Sequence, residues 1–353
     1  MNIKDYKKLE PFSLDKKKKE KLFISLINSL TFHHYKNSQS YKKILDLFGY
    51  NFQKKKLDKI PFLPAKLFKE VDLKSISDRE VFKVLTSSGT SGGNPSKIFL
   101  DKNNAQNQIK VLNEIMSNLL GKTRIPMLII DQKPNISDTK KFNAKTAAII
   151  GFSMFGKNHS YLLNDNNDIN YVSLNKFLSD FGKTKFFVFG FTSLVYEYLI
   201  NNLNTKKLNS NLNNGILLHG CCWKKMQKIK VSNKIFKEKL FKKFQFKKIV
   251  NYYGLIEQTG SIFIECEKCG RFVTSRYSDV IIRDKNFDIV EKGKRGYIQL
   301  LSLLPTSYPG HSILTEDIGE IPDDKKCSCA KHGKSFLVYG RAEKSEIRGC
   351  SDV

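Results

Sequence analysis

The run TSSGTSGGNPSK, Thr86 to Lys97, is the stretch on which the reading of this chain turns. Gly89, Gly92 and Gly93 let a backbone come close to an anion and offer unshielded N–H groups. Thr86, Ser87, Ser88, Thr90 and Ser91 add hydroxyl donors, and Lys97 adds a point charge. A loop of this composition wraps the phosphates of a nucleotide, so residues 86–93 are expected to bind ATP, with Lys97 as a catalytic cation. It is not a Walker A motif, which needs GxxxxGK[ST]; Lys97 follows Ser96 four residues after the last glycine, with Pro95 stiffening the exit. An unliganded polar surface loop has the same composition, so the residues around it have to decide.

Upstream, Glu20 to His33 and Tyr41 to Phe48 carry apolar residues at three- and four-residue spacing, which predicts helices and a helical cap over residues 1–75. Downstream, from Glu80 to about Val250, short apolar runs (VFKVL, PMLII, FFVFGF, GILL, KIVNYY) alternate with amphipathic stretches. That rhythm predicts an α/β core over 76–260, with parallel sheets and helical crossovers. After Gly260 come short β segments, SIFIE, SDVIIR, FDIV, YIQLL and SFLVYG, between charged or Gly/Pro turns, so a smaller β-rich subdomain is expected over 261–353.

The 353 residues, with 40% apolar content and 26 Phe, suffice for a large buried core. No apolar run reaches the length of a bilayer span, and the start MNIKDYKKLEPF lacks the apolar stretch of a secretory signal, so a cytoplasmic protein is expected. Seven cysteines, an odd number, fit a reducing compartment better than a disulfide framework. The net charge of +27 raises the question of nucleic acid. Only eight of the 61 basic residues are Arg and the lysines run along the whole chain, so no nucleic-acid partner is expected, while an acidic or carrier-protein docking surface stays open.

Further motifs stand in order behind the loop: Phe189-Gly-Phe191-Thr-Ser193, Leu218-His219-Gly220 with Trp223-Lys-Lys225, Tyr253-Gly254-Leu-Ile-Glu257-Gln258, Thr315-Glu-Asp317, and GRAEKSEIRGCSD from Gly340 to Asp352. Together these resemble the core motifs of adenylate-forming enzymes, and most closely those of the LuxE-type acyl-protein synthetases, over roughly residues 80–353. The resemblance implies the adenylate-forming fold: an N-terminal-type domain of parallel sheets flanked by helices, with a smaller β-rich C-terminal subdomain. It also implies ATP-dependent activation of a carboxylic acid, and a fatty acid in particular, as acyl-AMP, followed by transfer to a cysteine as a thioester, feeding an acyl reductase.

Physical roles follow for each motif. Pyrophosphate leaving ATP needs cation and N–H stabilisation, which the loop and Lys97 supply. Glu257 offers carboxylate oxygen to Mg²⁺, against the reading of an ordinary strand-end glutamate. Tyr253, beside Gly254, is placed to stack on adenine; Asp317 to accept the ribose hydroxyls, although TED replaces the more usual TGD; Arg341 to contact ribose or phosphate. By resemblance, Phe191, His219 and Trp223 line the acid pocket, and Gly220 and Cys221 the adenine pocket. The family has glycines where this chain has Cys221 and Cys222, which implies a narrower pocket or a different turn.

The sequence runs to Val353, so the C-terminal lysine domain that most adenylate-forming enzymes carry is expected to be absent, and the resemblance implies that Cys350 is the acyl acceptor of the family's RGCSD segment. Arg348 and Lys344 would favour its thiolate. Cys266-x2-Cys269 and Cys327-x-Cys329, with His332 near, suit a structural Zn²⁺ site, although CxC is not the usual second pair. Two alternatives stay open: a ligase that passes the acyl group to coenzyme A or a carrier protein, and a basic zinc-containing nucleic-acid-binding module.

Overall fold

The computed structural model describes residues 10–14, 16–52, 56–87, 94–134, 144–220, 231–323, 327 and 333–342. These fall into two compact units, one built from residues up to Ile115 and from Gly254 onward, the other from Met116–Tyr253. In chain order, helices α1 (Lys16–Asn37) and α2 (Gln39–Leu47) precede strand β1 (Leu63–Pro64) and the hairpin β2 (Lys83–Thr86) and β3 (Lys97–Leu100). Helix α3 (Lys102–Leu120) follows, burying Gln108, Val111, Ile115 and Leu119 at the spacing of one helical face. Then come β4 (Ile125–Ile129), α4 (Ala144–Ser153), β5 (Gly156–Tyr161), α5 (Tyr171–Phe181), β6 (Phe186–Phe191), β7 (Gly215–Gly220), α6 (Asn233–Phe244) and β8 (Lys248–Tyr253). The chain ends with β9 (Phe263–Glu265), β10 (Phe272–Val273), β11 (Ser278–Arg283), β12 (Arg295–Ser302), β13 (Ser312–Glu320) and β14 (Ser335–Arg341).

The second unit is the parallel α/β sheet that the apolar runs predict. Its order is β5-β4-β6-β7-β8, every pair parallel. FFVFGF and GILLHG are buried at every position because helices cover both faces of a parallel sheet. Helix α5 starts where the Asn170 side chain accepts from Ser173 N, and α6 where Ser232 accepts from Ile235 N. Phe236, Leu240 and Phe244 of α6 pack with Leu128, Phe186, Val188 and Leu217 in one core, each such side chain contributing roughly 1.5–3 kcal/mol on burial. After β6 the chain turns helical at Thr192–Leu194 and continues as a π-helix over Val195–Asn202, which the sequence pattern does not signal.

The first unit is antiparallel in its sheet, in the order β11-β12-β13-β14-β10-β9, with β1 pairing parallel to β13. Tyr41, Leu45, Leu63, Phe68, Leu73, Ile98, Tyr308 and Ile313 share a core, and Phe23 and Ile27 of α1 reach Ile281 and Leu301 in another. Two expectations are corrected. VFKVL leads into β2, which pairs antiparallel with β3 in a two-stranded sheet of its own and not in a parallel sheet. FDIV forms no strand: Asp284 accepts from the N–H groups of Asn286 and Asp288, and the turn sets Phe287 at φ 66°, leaving one bridge between Arg283 and Ile289. The whole is the mixed α/β architecture with a β-rich C-terminal part.

Candidate functional site

The Ser/Gly run is the loop of the β2–β3 hairpin. Thr86 pairs with Lys97, Ser87 N donates to Ser96 O at 3.0 Å, and Ser96 N donates to Ser87 Oγ at 2.8 Å, so both ends of the loop are fastened. Ser88, Gly89, Thr90, Ser91, Gly92 and Gly93 lie outside the described residues. Lys97 is half exposed and faces Asp72 at 3.3 Å, a surface pair worth little in water.

Glu257 sits in a short 3₁₀ turn, Ile256–Gln258, and is buried. Ser96 Oγ donates to Glu257 Oε1 at 2.8 Å, so the last serine before Lys97 is tied to the carboxylate of the YGLIE segment. Three further bonds hold that turn: Tyr308 OH donates to Glu257 O at 2.9 Å, and Gln258 Nε2 donates to Gly310 O at 2.9 Å and to Leu300 O at 3.1 Å. Burial, with the Glu257 charge beside it, pushes the Tyr308 phenol far above its ordinary range, so it is a fixed donor. A Cβ at Gly310 would stand 2.3 Å from the Tyr308 ring, which explains the glycine. The sequence reading gives Ser96 and Gln258 no role of their own and leaves out Tyr308, for which the Tyr-Pro-Gly turn at 308–310 was the available signal.

Asp317 and Arg341 are brought together by register. They face each other across β13 and β14, with Arg341 Nε 3.9 Å from Asp317 Oδ1 and Arg341 Nη1 donating to Glu316 Oε2 at 2.8 Å. Thr315 Oγ1 accepts from Asp317 N at 3.1 Å, so the threonine of TED shapes the turn of the chain here. Glu316, which the sequence reading passed over, takes the closer contact to Arg341.

In the parallel-sheet unit, β6 and β7 bring FGFTS beside LHG, with Phe191 opposite Gly220 and Gly190 opposite His219. Alternation puts Phe191 and Gly220 on one face of the sheet and His219 on the other. On the first face, Phe152, Phe189 and Tyr252 cluster with centroids 4.5–6.4 Å apart, and a Cβ at Gly220 would fall 2.4 Å from the Tyr252 ring. The phenol of Tyr252 and the ring of Phe152 were not anticipated. Buried His219 packs on Phe236, while Thr192 Oγ1 donates to Gly220 O at 3.0 Å and stands 3.0 Å from His219 Nδ1. With the threonine proton spent on Gly220, Nδ1 must carry the imidazole proton and donate, leaving Nε2 a buried acceptor with no partner among the described residues. Burial, and then Lys237, holds this imidazole down to about 3. Phe191 and His219 therefore do not share a surface, contrary to a common role in one pocket. Tyr253 ends β8, half-buried, and Gly254 follows it. Cys221 and Trp223 lie outside the described residues, as do Cys329, His332 and Cys350.

Between β9 and β10 the chain makes a tight knuckle: Cys266 N donates to Arg271 O at 2.7 Å, and Gly270, at φ 69°, donates to Cys266 O at 2.8 Å. The sulfurs of Cys266, Cys269 and Cys327 lie within 4.8 Å of one another. Burial, and then contact with the neighbouring thiols, raises Cys269 to about 12. Three converging thiols fit a soft tetrahedral ion.

A family model described as acyl-protein synthetase, LuxE, matches residues 5–353. The chain belongs to the LuxE acyl-protein synthetase family. Membership makes this LuxE-family protein an enzyme of the acid-thiol ligase class. No curated protein matches the sequence. Among solved structures, 2-hydroxyisobutyryl-CoA ligase in its postadenylation state with 2-HIB-AMP is similar at TM-score 0.71 and 13% identity, covering 93% of this chain and 69% of that one. Its open conformation with 2-HIB-AMP and CoA is similar at 0.71 and 13%, covering 94% and 77%. The amide bond synthetase McbA from Marinactinospora thermotolerans is similar at 0.50 and 12%, covering 75% and 49%. At these identities the likeness is one of fold, the adenylate-forming ligase fold.

Proposed function

We propose that the protein activates a carboxylic acid with ATP and passes the acyl group to a protein thiol. A carboxylate oxygen of the acid attacks the α-phosphorus of ATP, the bond to pyrophosphate breaks, and acyl-AMP forms. A thiolate then attacks the acyl carbon and AMP departs, leaving a thioester. The single observation that supports this best is the bond from Ser96 to Glu257, which fixes the end of an anion-binding loop to a buried carboxylate.

In this reading the Ser87 to Gly93 loop and Lys97 neutralise the leaving pyrophosphate, Tyr253 stacks on adenine, and Asp317 accepts ribose hydroxyls while Arg341 holds its orientation. Glu257 would hold Mg²⁺, since carboxylate and hydroxyl oxygens suit a hard cation; bound with ATP, that ion would offset phosphate charge. Phe191, with Phe152, Phe189 and Tyr252, is the proposed apolar lining for an acyl chain, that of a fatty acid in particular. His219 acts at one remove, fixing Thr192 and so the backbone at Gly220. Cys350 is the proposed acceptor, and an acyl reductase the proposed consumer of its thioester. Cys266, Cys269 and Cys327, with Cys329 or His332 as the fourth ligand, would hold a structural Zn²⁺.

Incubation with ATP, Mg²⁺ and a labelled acid, with and without hydroxylamine, tests the scheme. The expected result is acid-dependent hydroxamate and a hydroxylamine-labile label on the protein that Cys350→Ser abolishes. Hydroxamate without label would move the acceptor to coenzyme A or a carrier protein; no hydroxamate from fatty, aryl or hydroxy acids would overturn the activation step.

A further inference from the structure

The segments that start the strands of the parallel-sheet unit are basic. The segments that lead into β4, β6, β7 and β8 are Gly121–Arg124, Gly182–Lys185, Asn211–Asn214 and Gln245–Lys248, and they hold Lys122, Arg124, Lys183, Lys185, Lys247 and Lys248 with no acid. Asp180, two residues before Gly182, is the nearest acid along the chain. Beyond the other ends acids and lysines are mixed along the sequence: Asp131 and Lys133 after β4, Asp165 and Asp168 after β5, Glu197 after β6, and Lys224, Lys225, Lys228 and Lys230 after β7.

The grouping is spatial as well as sequential. Strand starts pair almost level, Ile125 with Gly156, Phe186 with Gly215 and Ile216 with Lys248, so the lysines before them share one edge. Burial, and then the charges of Lys247 and Lys248, holds the Lys185 ammonium below its ordinary range. At the opposite edge burial raises the Tyr198 phenol, helped by Glu197, Asp131 and Asp168.

Some of these lysines have structural work. Lys185 Nζ donates to Leu120 O at 2.5 Å, and Lys243 Nζ to Leu199 O and Ile200 O at 2.8 Å, serving carbonyls at or near helix ends where cations are favoured. Lys122, Arg124, Lys183 and Lys247 are exposed and have no hydrogen bond or ion pair among the described residues, so capping does not account for them. Beside them the last turns of α6 expose Phe241 next to Lys242.

We infer that this strand-start edge is a docking surface for an anionic lipid bilayer. A level array of lysines with one exposed phenylalanine at its rim suits a plane of anionic headgroups with an apolar layer behind it. Lysine-rich patches act through summed charge and not through the bidentate forks that arginine brings to nucleic acid or to a specific carboxylate. Strands of five or six residues put the docking edge roughly 20 Å from the edge that carries Thr192, Gly220 and Tyr253, so a surface-bound protein keeps those residues away from the lipid. The inference stands whichever acid is activated.

The test is co-sedimentation of the full chain with phosphatidylglycerol–phosphatidylcholine vesicles and with phosphatidylcholine vesicles. Each basic side chain near an anionic surface multiplies partition roughly fivefold, so the triple variant Lys122→Glu, Lys183→Glu, Lys247→Glu should bind the anionic vesicles at least about 100-fold more weakly. A second triple variant with the same charge change, Lys66→Glu, Lys102→Glu, Lys285→Glu, should bind as the wild type does, and both should keep the wild-type thermal midpoint. Binding to neutral vesicles equal to that on anionic ones, equal loss in both triple variants, or binding to nucleic acid without binding to vesicles would each overturn the proposal.

Discussion

His311 is buried with Nδ1 unpartnered among the described residues, its Nε2 shared with Thr31 Oγ1 at 3.0 Å, and its ring stacked 4.8 Å from that of His34. Burial, and then the charge of His33, holds His311 down to about 3; burial and the charge of His311 hold His34 well below its usual value. Both rings are therefore neutral in the fold, as is His219, and take up protons more readily once unfolded. The stability that His311 and His219 provide is complete above about pH 6.5 and falls as pH drops below that toward 3, by about 2 kcal/mol for each at pH 5, and His34 acts in the same direction. Urea midpoints should decline from about pH 7.5 to about pH 5, and His311→Gln should flatten that decline; an unchanged slope would contradict the assignment. Glu257 was legible as a residue because YGLIE marks it, whereas its partners were not. Ser96 and Tyr308 lie 161 and 51 residues away in sequence, and only the packing of loop, turn and strand brings them to it.

Elements were legible where burial imposed a simple period. The all-buried β6 and β7 and the amphipathic α2 were read correctly, since a strand covered on both faces must be apolar throughout and a surface helix must be striped. β5, GKNHSY, escaped because as an edge strand it exposes Lys157, Asn158 and His159. FDIV misled because an Asx-type turn at Asp284 outweighs three apolar residues. The knuckle between β9 and β10 carries the clearest test at this scale. If Cys266, Cys269 and Cys327 hold zinc, native protein should contain about one ion per chain, and a chelator should lower the thermal midpoint. Cys266→Ser should lose the ion and lower the midpoint without chelator. Metal-free native protein with an unchanged midpoint would remove zinc from the account.

For the molecule, the adenylate-forming architecture was legible from the order of its motifs, and family membership over residues 5–353 agrees with it. At this scale the strand register adds what composition lacks: it brings Lys122, Lys183, Lys185, Lys247 and Lys248 to one edge of a sheet. Among the described residues no helix is long and apolar enough to cross a membrane. The proposed chemistry rests on one step, formation of acyl-AMP, and carboxylate-dependent exchange of labelled pyrophosphate into ATP measures that step without needing the thiol acceptor. The account predicts exchange that requires both Mg²⁺ and a carboxylic acid, and that falls by about 100-fold or more in Glu257→Gln. Absence of exchange with every acid offered, or full exchange in Glu257→Gln, would contradict it.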